Sequence, residues 1–236
     1  MSSVFGPPTV TNGSQSFGGS TSVTVTINTA LGDLIVVAVN NSYTMVGGTF
    51  GVTDTIGNTY TKLTSAGPTS FGYRQHMYWT ISTGANASNV VTVDLNGNNG
   101  ATNVTVWDTG ISGGTAAFDT SAVGSDDSNT VVSTGTFNTA GSDEIVFSAA
   151  MDINNPKGTF SQGSGYTLDA AAVNTGAFNY LTQGAQHVVY TSPQTGIAAT
   201  MTYSQGPNNI AIIAAAFKGS GSAGASTQPI VILFGL

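Results

Sequence analysis

Few residues in this chain are equipped for chemistry. Its 236 residues hold two histidines, no cysteine, eleven acidic and four basic side chains. Without cysteine there is no disulfide, no thiolate nucleophile and no Cys-ligated zinc. Serine is common, but His76 and His187 are the only bases for a nucleophilic triad. Gly110-Ile111-Ser112-Gly113-Gly114 spells Gly-x-Ser-x-Gly. A nucleophile elbow needs a helix directly after it, and here a Gly-Gly turn follows. Gln75-His76 and Gln186-His187 match each other, so the two histidines are expected to share one role on equivalent strands. A metal pair built on them has no evident third ligand.

A glycosidase needs two carboxylates across a cleft, whereas most acids here sit where turns want them. Asp54 precedes Gly57-Asn58 and reads as a side chain bonding its own turn. Asp33 and Asp143 stand at equivalent strand starts. Glu144, the only glutamate, falls where the other half has Leu34, which an edge or interface position would explain. No enzyme is expected. Asp126, Asp127 and Asn129 form the best candidate calcium (Ca2+) loop, since adjacent carboxylates with amide oxygens suit a hard cation. The plainer reading is a solvated acidic turn. Trp79 and Trp107 are candidate glycan-stacking residues, though their alternating strand positions favour core packing.

The elements that must carry these residues are strands. Val23, Val25 and Ile27 alternate with Ser22, Thr24 and Thr26, and Val91 and Val93 alternate with Thr92 and Asp94. That period of two marks strands wet on one face. Asp33 to Val39 is continuously apolar after its first residue, as a strand covered on both faces would be. Turn clusters such as Asn96-Gly97 and Gly113-Gly114 punctuate at short intervals, and no substantial helix is expected.

The chain repeats itself. Thr26-Ile27-Asn28-Thr29-Ala30 and Asp33 return as Thr136-Phe137-Asn138-Thr139-Ala140 and Asp143, an offset of 110. Tyr60-Thr61 returns as Tyr166-Thr167, and Val104 to Trp107 aligns with Ala214 to Phe217. The expected fold is therefore all-β. It is either one jelly-roll-like antiparallel β-sandwich built from two pseudo-repeats of about 110 residues, or two tandem immunoglobulin-like sandwiches. The Gly-rich but still apolar junction at 110–118 favours the single sandwich. The expected organisation is an N-terminal arm at 1–20 and a sandwich at 21–218, split into 21–110 and 111–218. A flexible linker at 219–227 and an apolar docking strand at 228–236 complete it.

GDLIVVAV (32–39), VTDTIGNTYTKL (52–63), HMYWTIS (76–82) and VTVWDTG (104–110) resemble a loosely defined β-sandwich module. It recurs in bacterial extracellular proteins and phage structural proteins. The closing strand of that family often reads Glu-Tyr-Ser-Gly, where this chain has Trp107-Asp108-Thr109-Gly110. The resemblance implies a structural or adhesive module and brings no catalytic residues.

Composition sets the partners. Charged residues are 6% of the chain, against about a quarter in soluble domains. Four cations, Lys62, Arg74, Lys157 and Lys218, in a chain of net charge −7 cannot neutralise a phosphate backbone, so no nucleic acid is expected. No apolar run is long enough for a spanning helix, and the N-terminus reads without a cleavable signal peptide. Ile230, Val231, Ile232, Leu233 and Phe234 form an uncharged strand that must be covered, and the Gly/Ser/Ala segment before it favours docking on a neighbour. The expected role is a non-enzymatic subunit of a virion or extracellular surface assembly, partnered by itself or other subunits. A carbohydrate-binding or adhesin module, with glycans as partners, is the alternative.

Overall fold

The computed structural model describes residues 3–15, 21–42, 50–66, 74–97, 100–153, 158–173, 181–205 and 209–221. Among them there is no helix, and every strand pairing is antiparallel. The first half contributes β1 (Thr9–Gln15), β2 (Ser22–Thr29), β3 (Leu34–Asn41), β4 (Gly51–Asp54), β5 (Thr61–Ala66), β6 (Arg74–Ile81), β7 (Asn86–Asp94) and β8 (Thr102–Thr109). The second contributes β9 (Gly114–Asp126), β10 (Val131–Ser133), β11 (Glu144–Asp152), β12 (Phe160–Gln162), β13 (Thr167–Val173), β14 (Thr182–Tyr190), β15 (Thr200–Tyr203) and β16 (Ile210–Gly221).

These strands form four sheets. The first half folds as β1-β8-β3-β6-β5 against β2-β7-β4, and the second as β9-β16-β11-β14-β13 against β10-β15-β12. Adding eight to each strand number of the first half gives the second. Each half thus closes its own sandwich, and neither half shares a sheet with the other.

Burial patterns explain why the sequence takes this form. In β2 every second residue is buried, with Val23, Val25 and Ile27 facing the first sandwich's interior. All eight residues of β3 are buried. Ile35, Val37 and Val39 face that same interior, while Leu34, Val36 and Ala38 face away from it, into a separate core. β11 does the same. Val146 and Ala150 line the second sandwich, and Ile145, Phe147, Ala149 and Met151 meet the residues of β3 in the shared core. The two five-stranded sheets therefore stack face to face, giving four layers and three cores. The largest ring cluster lies in this seam: Trp107 and Phe147 have centroids 5.2 Å apart, and Trp79 and Phe217 lie 5.4 Å apart.

Several expected boundaries shift. The segment expected as an arm contains β1, which pairs with β8 from Thr9↔Asp108 to Gln15↔Thr102. Phe5, also in that segment, is buried in the shared core. Ser3 Oγ and the Val4 N–H both bond the Asp143 carboxylate at 2.6 Å, clipping the N-terminal segment to the second half. β16 runs on to Gly221, past the start of the expected linker. The expected docking strand, 228–236, lies outside the described residues.

A core shared by both halves should make them unfold together. Phe147→Ala removes a fully buried ring from the seam and is expected to cost about 3–5 kcal/mol. Denaturant unfolding should stay a single transition with a lowered midpoint. Two separated transitions in the wild-type chain would show that the seam does not couple the halves.

Candidate functional site

The turn quoted in the resemblance is built around one carboxylate. Asp54, at the end of β4, accepts the backbone N–H groups of Gly57 (2.9 Å) and Asn58 (3.0 Å) on Oδ1. Its Oδ2 accepts from Asn58 Nδ2 (2.8 Å), the Tyr60 hydroxyl (2.9 Å) and Asn89 Nδ2 (3.2 Å). Asn58 Oδ1 then takes the backbone N–H and hydroxyl of Thr83. Burial works against the charge on Asp54, but these donors outweigh it and hold the carboxyl below its usual range. Gly57 has φ +88°, where a side chain would be strained. The Asp-x-x-Gly-Asn-x-Tyr signature is thus a structural knot that ties the β4–β5 turn to β7, as the turn reading expects.

The candidate calcium loop resolves the same way. Asp126 Oδ1 accepts from the N–H groups of Ser128 (2.8 Å) and Asn129 (2.9 Å), and Oδ2 from Asn129 Nδ2 (2.8 Å). The Asn129 amide and the Ser128 N–H lead the donors that lower its pKa to about 2. Asn129 presents its amide nitrogen to the carboxylate, and among the described residues no three His, Cys, Asp or Glu side chains gather as a metal set. Asp127 adds no bond to the turn.

Of the two glycan-stacking candidates, Trp107 is corrected. Trp107 is fully buried, and its indole N–H donates to Asp169 Oδ2 at 2.7 Å across the seam. Trp79 is half-buried against Phe217. A sugar cannot reach the face of Trp107. The histidines are corrected too, because they face opposite sides of their sheets. His76 is buried edge-on to Phe50 at 4.9 Å, on the interior side of the first sandwich. His187 faces the seam, with Nδ1 2.6 Å from Asp169 Oδ1 and Phe147 beside it. Asp169 is the extra residue of a β-bulge in β13, which turns its side chain inward between the halves. Amides complete the seam: Gln75 Nε2 donates to Asn40 Oδ1 (2.8 Å) and to Ala149 O (3.0 Å), and Gln183 Nε2 to Thr105 Oγ1.

Two carboxyl pairs were not anticipated from the sequence. Asp108 on β8 is buried, accepts from Thr29 Oγ1 at 2.5 Å and meets the carboxyl of Asp33. Burial above all, then the contact with Asp33, pushes its pKa up to about 7 against the pull of the Thr29 hydroxyl. In the second half Glu144 is fully buried, accepts the Gly141 N–H at 2.5 Å and meets Asp119 of β9. Burial and Asp119 push it up to about 7 as well, while Gly141 and Lys218 pull it down.

The pairs occupy the same corner of each half. Leu34 and Ile145 both begin the seam-facing row of their strands, so the residue before each, Asp33 and Glu144, is the structural equivalent. Both accept a backbone N–H three residues upstream, from Ala30 at 2.7 Å and Gly141 at 2.5 Å. The expectation that Glu144 matches Leu34 at an edge or interface is therefore overturned: the turn before β11 is one residue longer, and Glu144 is a buried corner acid. No family model, curated protein or solved structure matches this chain.

Both pairs hold a proton more tightly folded than unfolded. The stability they add is complete below their ordinary values of 3.8 and 4.5, and is lost as pH rises through about 7. The melting temperature should therefore fall between about pH 5 and about pH 8. Asp108→Asn replaces the shared proton with an amide N–H, so this variant should melt higher than wild type at the upper pH and show a shallower slope. An unchanged slope in the Asp108→Asn, Glu144→Gln double variant would count against the pairs. A separate check lies in the β4–β5 turn. Asp54→Ala strands the half-buried donors around it and should cost about 2–4 kcal/mol by chemical denaturation.

Proposed function

We infer that this chain is a non-enzymatic structural subunit of a virion or extracellular surface assembly, such as a phage surface or decoration protein or a self-assembling surface filament or layer. One observation carries the inference: the side chains best suited to chemistry or ligand binding are spent on holding the fold together. Asp54 and Asp126 are filled by their own turns, Trp107 and His187 by Asp169, and the carboxyl pairs by each other.

The architecture supports the same reading. In each half the first strand pairs with the eighth, the second with the seventh and the third with the sixth, the wrap of a rolled-up hairpin. Jelly-roll sandwiches of this kind serve as capsid and lectin domains. β9 ends its sheet as a strand of 13 residues whose only charges are Asp119 and Asp126, with Val123 40% exposed. Long edge strands with so little charge favour pairing between chains. The uncharged segment Ile230-Val231-Ile232-Leu233-Phe234 has the composition of a strand that adds to such an edge or fills a neighbour's groove. The glycan-binding alternative loses its stacking platform with the burial of Trp107.

Mass photometry of the full chain and of a version lacking residues 228–236 tests this reading. The full chain should form a discrete assembly and the shortened chain should fall to monomer. An assembly unchanged by the deletion sinks the docking role of the tail, and a full chain that stays monomeric removes the subunit reading altogether.

A further inference from the structure

Three ionisable side chains from three neighbouring strands converge at the corner of the second half. Lys218 of β16 lies directly across from Glu144 of β11 in the pairing register. Asp119 is the extra residue of a β-bulge, since β9 pairs Phe118 with Phe217 and Thr120 with Ala216. The bulge turns Asp119 inward, leaving its side chain 8% exposed, with Lys218 Nζ 3.4 Å from Oδ1. The Ala140 N–H holds Oδ2 at 2.8 Å. Glu144 accepts the Gly141 N–H on Oε1, while its Oε2 is buried with no N–H or O–H donor of its own. Two buried carboxyls in contact need one proton between them, and Oε2 is the oxygen free to carry it.

We propose that Lys218 and Asp119 condense to an intramolecular amide bond, with Glu144 carrying the proton. The neutral Lys218 amine attacks Cγ of Asp119, forming the Nζ–Cγ bond. Negative charge develops on Oδ2, where the Ala140 N–H is already placed to receive it. Oδ1 leaves as water. It departs with the proton that Glu144 delivers and with one of the two amine protons, while the other amine proton stays on the amide nitrogen and Glu144 ends as the carboxylate. An acid and an amine give an amide and one water, with no oxidant, metal or activated group required. Proximity supplies the driving force, because fixed neighbours in one fold react as though at very high concentration. The Lys218 side chain is 45% exposed, while the Asp119 carboxyl it meets is 8% exposed.

The first half serves as an internal contrast. Its corner has the acid pair, Asp33 and Asp108, but the residue across from Asp33 is Gly110, so no amine is present to react. In the second half the bond would join β9 to β16 and close the chain from 119 to 218, nearly the whole sandwich. In a chain without cysteine it would do the work of a disulfide. The proposal is independent of the assembly role and survives if that role fails.

Intact mass spectrometry of the full chain decides the matter. Wild type should be lighter than its sequence by one water and Lys218→Arg should not. Trypsin should then leave 75–157 joined to 158–236, with no separate 158–218 peptide, since Arg74, Lys157 and Lys218 are the flanking cleavage sites. Glu144→Gln should stay at its full sequence mass for as long as wild type takes to convert. Wild type at full mass after days in mildly acidic to mildly basic buffer overturns the bond. So does an equal water loss in Lys218→Arg, which would place the dehydration elsewhere. A joined peptide pair in Glu144→Gln overturns the role of the glutamate alone.

Discussion

The stacking of the two five-stranded sheets is the constraint from which most other features follow. A sheet with one face on water needs apolar residues only at alternate positions. Once both faces are covered, every position of β3 and β11 must be buried, and so it is from Leu34 to Asn41 and from Glu144 to Asp152. β8 is likewise buried throughout, and β16 from Ile210 to Phe217. These four central strands leave no room for solvated charges. The 6% charge content is thus largely the arithmetic of a four-layer body whose two inner layers are dry and whose outer strands are wet through Thr and Ser.

A dry seam still contains backbone and side-chain polar groups, and each must be partnered or it costs stability. Here three polar residues of the seam bond across it. Gln75 reaches the backbone of Ala149, Gln183 reaches Thr105, and Trp107 reaches Asp169. Such bonds fix the rotation and offset of one sheet on the other, which apolar contact alone leaves loose. The bulge in β13 serves the same end by bringing Asp169 to Trp107, while the bulge in β9 turns Asp119 toward Glu144 and Lys218 of its own half. An aspartate cannot point inward from the regular face of an edge strand without breaking the alternation, and the extra residue in β9 and in β13 lets Asp119 and Asp169 do so.

Legibility in the sequence followed the range of the interaction. Local patterns were readable: the alternation of Val23, Val25 and Ile27, the doubly covered run of β3, and Asp54 as a turn acid all match their positions in the fold. Strand alternation favoured a core position for Trp107 but did not say which core, and it lies in the one between the halves. The histidines misled because matching letters do not fix a face; sliding a strand by one residue exchanges its two sides. The carboxyl pairs were invisible for a different reason. Asp108 lies on β8 and Asp33 at the start of β3, which pairs with it, while Asp119 and Glu144 lie on strands that flank β16, so only the assembled sheet brings each pair together.

The corner acids also bear on how the halves have diverged. Asp33 and Glu144 make the same bond to a backbone N–H three residues upstream, yet one is an aspartate after a short turn and the other a glutamate after a turn one residue longer. The carboxyl that meets each comes from a different strand, β8 in the first half and β9 in the second. A feature rebuilt from different strands at the same place answers to the place rather than to a shared residue. That corner lies where the chain turns into a central strand with both faces buried, and where N–H groups of the turn take a carboxyl as their acceptor. A carboxyl accepts those N–H groups, and a second carboxyl satisfies the first by sharing its proton, at no cost in net buried charge beyond one unit. In a chain this short of cations the shared proton does what a salt bridge would do elsewhere. Only the second half departs from this economy, where β16 brings Lys218 to the pair.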